Sequence, residues 1–465
     1  MEKRMFEFFS ENRSAVNIRF DFCKDRLSVS KFVSSPTEGV ITVGLGEKDA
    51  FGHIICKEAF AKAALAAQDL GLQECVLNID FLVDALGLDG LYDMAEGWLG
   101  ASYSFAKYKN GGSRKPVTAF IAASHRDAAF IDALNSAIAL AEQMLFARTL
   151  VNEPSNKLTP EVFADTWRNA ADMLPIDIDV LSADRLEALG MGAFLGIGRS
   201  SANPPRLIVM RYTGAPKTDE RLGIIGKGVT VDSGGYCLKS ASSMAGIKGD
   251  MAGAAAAGCA LIALAKNRVK ANVTVVIPAC ENRISSGSLL PGDVITAMDG
   301  TTIEVANTDA EGRLILADAI TYSITEERVT RIVDLATLTG AVCSALGFCC
   351  AGTLSNNDAF YAEFERAAST AGELYHRFPT FPEYEKLIES GVADIKNSSS
   401  GCGTIAAGLF VRRFARGLPW IHMDIAGTAW VDTPVWAFQT AGATGASVST
   451  LYTLAKNTFE EVIDV

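Results

Sequence analysis

Short apolar runs alternate with helical periodicity along most of the chain. In the first third, GVITVGLG (39–46), CVLNI (75–79) and VTAFIAAS (117–124) read as buried strands. CKEAFAKAALAAQDLG (56–71) and MAEGWLGASYSFAKY (94–108), which lie between them, carry helical spacing. DAAFIDALNSAIALAEQMLFARTLVN (127–152) reads as one long helix, and EPSNKLTPE (153–161) ends it. There Thr159 can cap a new helix with Pro160 at its first position. This places a boundary near residue 150: an N-terminal α/β domain over 1–150, closed by a long connecting helix, and a second domain over 151–465. In the second block RLIVMRY (206–212), RLGIIG (221–226), ANVTVVIPA (271–279) and RIVDLAT (331–337) are strand-like. DMAGAAAAGCALIALAKN (250–267) and EGRLILADAITYS (311–323) are helical. The alternation predicts a two-domain α/β fold with a mostly parallel mixed central sheet covered on both faces. VITAMDGTTIEV (294–305) is the exception, a hairpin with a tight turn at Asp299–Gly300.

Composition narrows the picture. The 465 residues are 49% hydrophobic and 21% charged, as expected of a globular chain with ample core. A net charge of −12 argues against a broad nucleic-acid-binding surface. No stretch reads as long and apolar enough to span a bilayer. MEKRMFEFFSENRS lacks a sustained apolar core and a cleavage site, so no signal peptide is expected. The ten cysteines are scattered, many in apolar runs, and none forms a CxxC pair. They fit reduced core thiols of a cytoplasmic protein.

Several chemistries are absent. The four histidines, His53, His125, His376 and His422, are far apart, and there is no HExxH. GIIGKG around Lys227 lacks the spacing of a phosphate loop, and there is no GxSxG. What stands out is VANTDAEGRLILADAI (305–320), where Asp309, Glu311 and Arg313 lie two apart. In extended backbone they would share one face, and two carboxylates so close are unfavourable in isolation, which raises the question of a cation. A second cluster, GKGVTVDSGGYCLKSASSMAGIKGDMAGAAAA (226–257), holds Lys227, Asp232, Lys239, Lys248 and Asp250 among glycines. Each has a plain alternative. Asp250 can be a helix cap, the lysines solvated strand ends, and Asp309 and Glu311 loop acids. Ser233, without a histidine base, reads as a turn residue, and Asp318, Asp334 and Asp424 as structural acids. From spacing alone, a carboxylate metal site and a set of solvated acids both remain open.

NTDAEGRL resembles the signature of the leucyl aminopeptidase (cytosol aminopeptidase) family, and GKGVTVDSGGYCLK with KGDM resembles its other metal-binding segment. The likeness extends through GMGAFLGIGRSSANPPRLIVMRY, CENRISSGSLLPGDVI, DLATLTGA and PWIHMDIAGTAW, over nearly all of residues 150–450. The N-terminal block matches less. The resemblance implies an aminopeptidase that releases N-terminal amino acids from peptides through a hydroxide activated by two metals. Lys227, Asp232, Asp250, Asp309 and Glu311 would ligate two divalent cations per subunit, with Asp232 and Glu311 bridging. Mn and Zn are the first candidates, Mg and Co the next. Lys239 and Arg313 would be the catalytic pair. A bicarbonate ion would rest on Arg313 and the amides of Ala310, Gly312 and Leu314. Ile247, Asn307, Thr337, Leu338 and Gly340 would contact a peptide with a free N-terminus. The family also implies a homohexamer, a dimer of trimers.

Four positions depart from the family pattern. Ala245 stands for a usual Asp, Ile247 for a pocket methionine, Val231 for a Phe and Ala252 for a Gly. All proposed ligands are present, so an active enzyme is expected and the side-chain preference is left open. The alternative is a non-catalytic oligomeric scaffold or regulatory protein on the same fold.

Overall fold

Buried runs near its centre, Glu74–Asn78 and Thr118–Ala122, and an alternating strand, Val16–Asp21, build the first sheet. Its strands are β1 (Phe6–Phe8), β2 (Val16–Asp21), β3 (Val29–Ser35), β4 (Glu38–Gly44), β5 (Glu74–Asn78) and β6 (Thr118–Ala122), in the order β1-β6-β5-β2-β4-β3. Among the described residues only the β3–β4 pair of this sheet is antiparallel. Helices α1 (His53–Asp69), α2 (Asp80–Leu86), α3 (Gly90–Ser102) and α4 (Ala128–Asn152) accompany it. Phe20, Phe60, Leu77 and Trp98 form part of its core. The computed structural model describes residues 5–8, 14–22, 25–111, 116–124 and 126–463, with side chains to 459. His125 lies outside the described residues. Helix α3 stops at Ser102, short of the periodicity that runs to Tyr108. Ser102 turns its hydroxyl back to the Trp98 carbonyl, and Tyr103 takes up extended backbone.

The chain divides into two compact units. The first comprises Met1–Leu145, Ser369–Gly372 and Asp432–Ala441, and the second holds the rest, so the division falls inside α4. The second unit begins with α5 (Pro160–Ala171), whose cap is Thr159: its hydroxyl accepts the Val162 amide, and Pro160 occupies the first turn. Then follow β7 (Ile176–Leu181), α6 (Ala183–Ala188), α7 (Gly192–Gly198), β8 (Arg206–Thr213), β9 (Leu222–Gly226), β10 (Gly228–Asp232), α8 (Ala252–Lys266) and β11 (Asn272–Asn282). The hairpin β12 (Val294–Thr296) and β13 (Thr302–Glu304) precedes α9 (Glu311–Thr325) and β14 (Arg331–Ala336). The chain closes with α10 (Gly340–Leu346), β15 (Cys350–Ser355), α11 (Asp358–Thr370), β16 (Leu374–Arg377), β17 (Ile395–Lys396), α12 (Gly403–Phe414), β18 (Trp420–Asp424) and α13 (Val448–Ile463).

The large sheet runs β16-β15-β18-β14-β9-β11-β8-β7, with β10 also on β11. Its centre is parallel, and antiparallel pairs appear at β15–β18, β11–β8 and β8–β7. The carboxyl ends of β9, β10, β14 and β18 therefore lie on one edge of the unit, where open α/β sheets collect ligands. The strand expected at 221–226 forms as β9, and after Lys227 a second strand, β10, follows at once. There the Lys227 N–H makes the last bond to β14, at Leu335 O, and its carbonyl turns away to accept the Ala254 amide of α8. The hairpin turn is also longer than expected. Ala297 N–H donates to Thr301 O across a five-residue loop, with Gly300 at a φ of 90°.

Two helical stretches, Ala128–Asn152 and Met244–Lys266, are long and apolar enough to cross a membrane, which corrects the reading from the sequence. The apolar window of the second is 83% buried, as a core helix must be. It carries so few charges because α8 is walled in on all sides by its own unit, with every residue from Ala252 to Ala265 buried.

Asp318 on α9 is the fold's internal staple. One carboxylate oxygen accepts the Phe194 amide at 2.8 Å and the other the Met298 amide at 2.7 Å, with no solvent exposure. Asp318→Ala should lower stability by about 2–5 kcal/mol in a urea melt, since two buried donors lose their acceptor. Burial pushes this carboxyl up to about 7 against the pull of its amide donors. Its contribution is complete below the unfolded value near ~4 and declines as pH rises through 7. The stability gap to Asp318→Asn should shrink over that window.

Candidate metal centre

Three segments end at one point. Lys227 sits in the gap after β9, its N–H on Leu335 O at 3.0 Å and its carbonyl on the Ala254 amide at 3.0 Å. Its buried ammonium lies 2.8 Å from Asp250 Oδ1 and 2.7 Å from Glu311 Oε1, and donates to Thr337 O at 2.9 Å. Asp232 ends β10. Its Oδ1 accepts from the Gly234 amide at 3.0 Å and Asn282 Nδ2 at 2.9 Å. Lys239 Nζ reaches Asp232 Oδ2 at 2.7 Å and Asp309 Oδ1 at 2.6 Å. Asp232, Asp309 and Glu311 each offer an oxygen within 4.8 Å of the others, a grouping able to hold a metal ion.

The helix expected over 311–323 forms, which corrects the extended face drawn through Asp309, Glu311 and Arg313. Glu311 opens α9, so Glu311 and Arg313 occupy a helical turn and Asp309 the turn before it. Residues two apart on a helix point to different sides. Glu311 faces Lys227, while Arg313 turns to Asn397 and donates to its carbonyl at 2.7 Å. The apolar run LILADAI buried on the sheet decides for helix.

Two glycines make room for this crowding. A Cβ at Gly312 would stand 2.6 Å from Lys227 Cε and 2.7 Å from Nζ, so only glycine lets the lysine approach the first turn of α9. Gly234 has a φ of 84°, and a Cβ there would meet Asp309 Oδ1 at 2.7 Å.

The electrostatics show a site in want of positive charge. Four carboxylates, Asp232, Asp250, Asp309 and Glu311, face two lysines. Burial pushes Glu311 well above the usual carboxylate range, and Asp232 beside it pushes further. Asp250 is raised to about 6 and Asp309 is raised, both by burial first. Burial alone would lower Lys227 and Lys239, but the surrounding acids outweigh it and raise both. Asp250 Oδ2 and both oxygens of Glu311 are buried and have no hydrogen bond, the approach of Lys227 to Glu311 being an ion pair without hydrogen-bond geometry. Unsatisfied hard oxygen donors, next to an amine, fit divalent cations. Arg313 is buried and its Nε has no hydrogen-bond partner, which leaves a donor for an anion. The Ala310 amide is occupied by Asn307 O at 3.3 Å, whereas Gly312 and Arg313 lie in the first turn of α9, where amides lack helical partners.

The remaining residues named from the sequence are distributed around this cluster. Thr337 Oγ1 donates to Asp250 Oδ1 at 2.7 Å. The Leu338 amide donates to Asp424 at 3.2 Å, and Gly340 opens α10. Asn307 Oδ1 accepts the Asp309 amide at 2.8 Å. Ile247 is half-buried in a 3-10 turn, Met244–Gly249, that leads into Asp250. Ser233 donates to Asn282 O at 2.8 Å, a turn role as expected. Asp334 and Asp424 are buried and hydrogen-bonded: Asp334 accepts from Trp420 and pairs with His422, and Asp424 accepts from the Thr339 hydroxyl at 2.6 Å. Asn282 and Asn397 were not singled out, although each holds several atoms of the site. An uncharged amide in NSSSGCG carries no sequence signal, and Asn282 was visible only within the segment CENR.

Comparison with known proteins agrees with this geometry. Residues 145–452 match the profile of the cytosol aminopeptidase family, catalytic domain, and residues 25–111 that of the family's N-terminal domain. A probable cytosol aminopeptidase of Clostridium perfringens is 41% identical over 436 residues, covering 92% of this chain and 88% of the relative. One from Bacillus subtilis is 37% identical over 92% of this chain and 87% of its own length. The solved structure of the bottromycin maturation enzyme BotP in complex with Mn superposes with a TM-score of 0.88 at 31% identity, covering 96% of this chain and 99% of that one. Family, fold and acid cluster agree: the chain belongs to the cytosol aminopeptidase family and is a metal-dependent aminopeptidase.

Proposed function

We propose that the enzyme removes single N-terminal residues from peptides with two divalent cations held by Lys227, Asp232, Asp250, Asp309 and Glu311. Asp232 and Glu311 serve both ions. The observation that carries this reading is the set of buried, unbonded carboxylate oxygens beside a buried lysine amine. When bound, such a pair supplies a Lewis acid for the scissile carbonyl and a water activated at neutral pH. Mn or Zn suits the mixed oxygen and amine donors, with Mg or Co as lesser candidates. The Mn complex of BotP favours manganese.

The chain's own residues divide the remaining work. Lys239 stays an ammonium because Asp232 and Asp309 surround it. It donates to the carbonyl oxygen as negative charge develops there. Arg313, with the amides of Gly312 and Leu314, holds a bicarbonate ion, which supplies a base when bound, while the Ala310 amide expected to join them is taken by Asn307 O. Burial lowers the Arg313 guanidinium to about 10, still cationic at neutral pH. Thr337, Leu338 and Gly340 align the peptide backbone in a segment fixed by Asp424, and Ile247 and Asn307 line its first positions. The substrate is a peptide with a free amine, and the setting is the cytoplasm, as the names of the relatives imply. The chain works as a homohexamer, a dimer of trimers, with 1–150 as the variable domain and 151–465 as the catalytic one.

Dialysis against chelator followed by Mn²⁺, Zn²⁺, Co²⁺ or Mg²⁺ tests the reaction. Activity on aminoacyl-amide fluorogenic substrates should disappear and return, with none on N-acetylated ones. A folded protein inactive with every metal would favour the scaffold alternative. Asp309→Ala should lose bound metal together with turnover. Lys239→Ala should retain both metals and lose about 100-fold or more in kcat, the scale of a lost oxyanion donor. Metal loss in Lys239→Ala would overturn this division of roles. Arg313→Ala should be milder. Light scattering should report six chains per particle.

A further inference from the structure

Asn397 is fully buried, yet every hydrogen-bonding group it has is turned to one short segment. Strand β17 runs parallel to β13, with Lys396 opposite Glu304, which places Asn397 beside the signature loop. Its Oδ1 accepts from the Ala306 amide at 2.8 Å and the Asn307 amide at 3.2 Å. Its Nδ2 donates to Asn307 O at 2.7 Å and Ala310 O at 3.3 Å. Its own N–H donates to Glu304 O at 3.0 Å, and its carbonyl takes Arg313 Nη1 at 2.7 Å. These partners bracket Asp309 and Glu311 on both sides.

We propose that Asn397 is the positioning residue of the metal centre: its amide sets the path of the loop that carries Asp309 and Glu311, while its carbonyl holds Arg313. This inference rests on the reading of Asp309, Glu311 and Arg313 given above. Two acceptor sites and two donors in one short planar group are what the loop requires. Aspartate has the same size but no donor, and it would set a further carboxylate against the carbonyls of Asn307 and Ala310. Glutamine has the right atoms one methylene too far. Asp424 holds Leu338 and Thr339, and Asn397 meets the peptide-lining residues only at the Asn307 backbone, so its effect should fall first on the metals and on turnover.

The test uses full-length Asn397→Asp and Asn397→Ala, with folding checked by near-ultraviolet circular dichroism. Equilibrium dialysis with Mn²⁺ should show affinity weakened about 10–100-fold, the usual scale for groups that orient ligands. At saturating Mn²⁺, kcat should fall about tenfold or more with KM within about threefold. A merely structural residue would lower the melting temperature and leave both Mn²⁺ affinity and kcat of the folded protein unchanged, which would overturn the proposal. Asp309→Ala is the control. If it binds Mn²⁺ like wild type, the reading of the site has failed. If it loses metal and the folded Asn397 variants do not, only this inference has failed. Should neither variant fold, amide exchange of the wild type decides. The Ala306 and Asn307 amides should exchange as slowly as those of β11 in metal-free protein, and exchange at open-loop rates would overturn the proposal.

Discussion

Four carboxylates forced into one buried volume are the constraint on which the catalytic unit depends. Each arrives at the end of a different regular element or turn, and Asp250 and Glu311 keep buried oxygens without a hydrogen bond. Lys227 and Lys239 compensate only half of that charge. Much of the surrounding structure answers this crowding. Strand β9 breaks so that Lys227 can leave the sheet, and Gly312 clears the first turn of α9 for its ammonium. Uncharged amides, Asn282 and Asn397, supply rigid hydrogen bonds without adding charge.

A second layer behind the cluster keeps it rigid. Asp424 ends β18 opposite Ala336 at the end of β14, and its carboxylate takes the amides of Leu338 and Thr339. Thr337, next in the chain, reaches Lys227 through its carbonyl and Asp250 through its hydroxyl. The peptide-aligning segment and the metal ligands are thus parts of one hydrogen-bonded unit. The Asp334–His422 pair and the Trp420 ring nitrogen bond β18 to β14 one turn of the pleat earlier. That fixes the register on which Asp424 depends.

How much of this could be read beforehand depended on range. The α/β alternation follows from local periodicity, and the strands at 206–212, 221–226, 271–279 and 331–337 all form. The acids and lysines of the centre were legible because they cluster with glycine in two short stretches. Asp424 was legible as a structural acid but its partners were not, and Asn397 was not legible at all, since its partners lie about 85 to 90 residues away and an asparagine has no local signature. At 309–313 two local readings overlap, an extended one from the alternating charges and the helical one over 311–323, and the structure keeps the helix. The strand break at Lys227 depends on a distant partner too: the Lys227 carbonyl leaves the sheet for the Ala254 amide of α8, which lies 27 residues on.

Proton release on metal binding tests the central claim most directly. In the metal-free chain the acids keep Lys227 protonated, and an amine can ligate only after losing that proton. Calorimetric titration of metal-free protein with Mn²⁺, repeated in buffers of different ionisation enthalpy, counts ions and protons together. The account predicts two ions per chain, release of about one proton or more, and affinity that rises with pH. Binding of two ions with no proton released, or no binding in a folded protein, would contradict it.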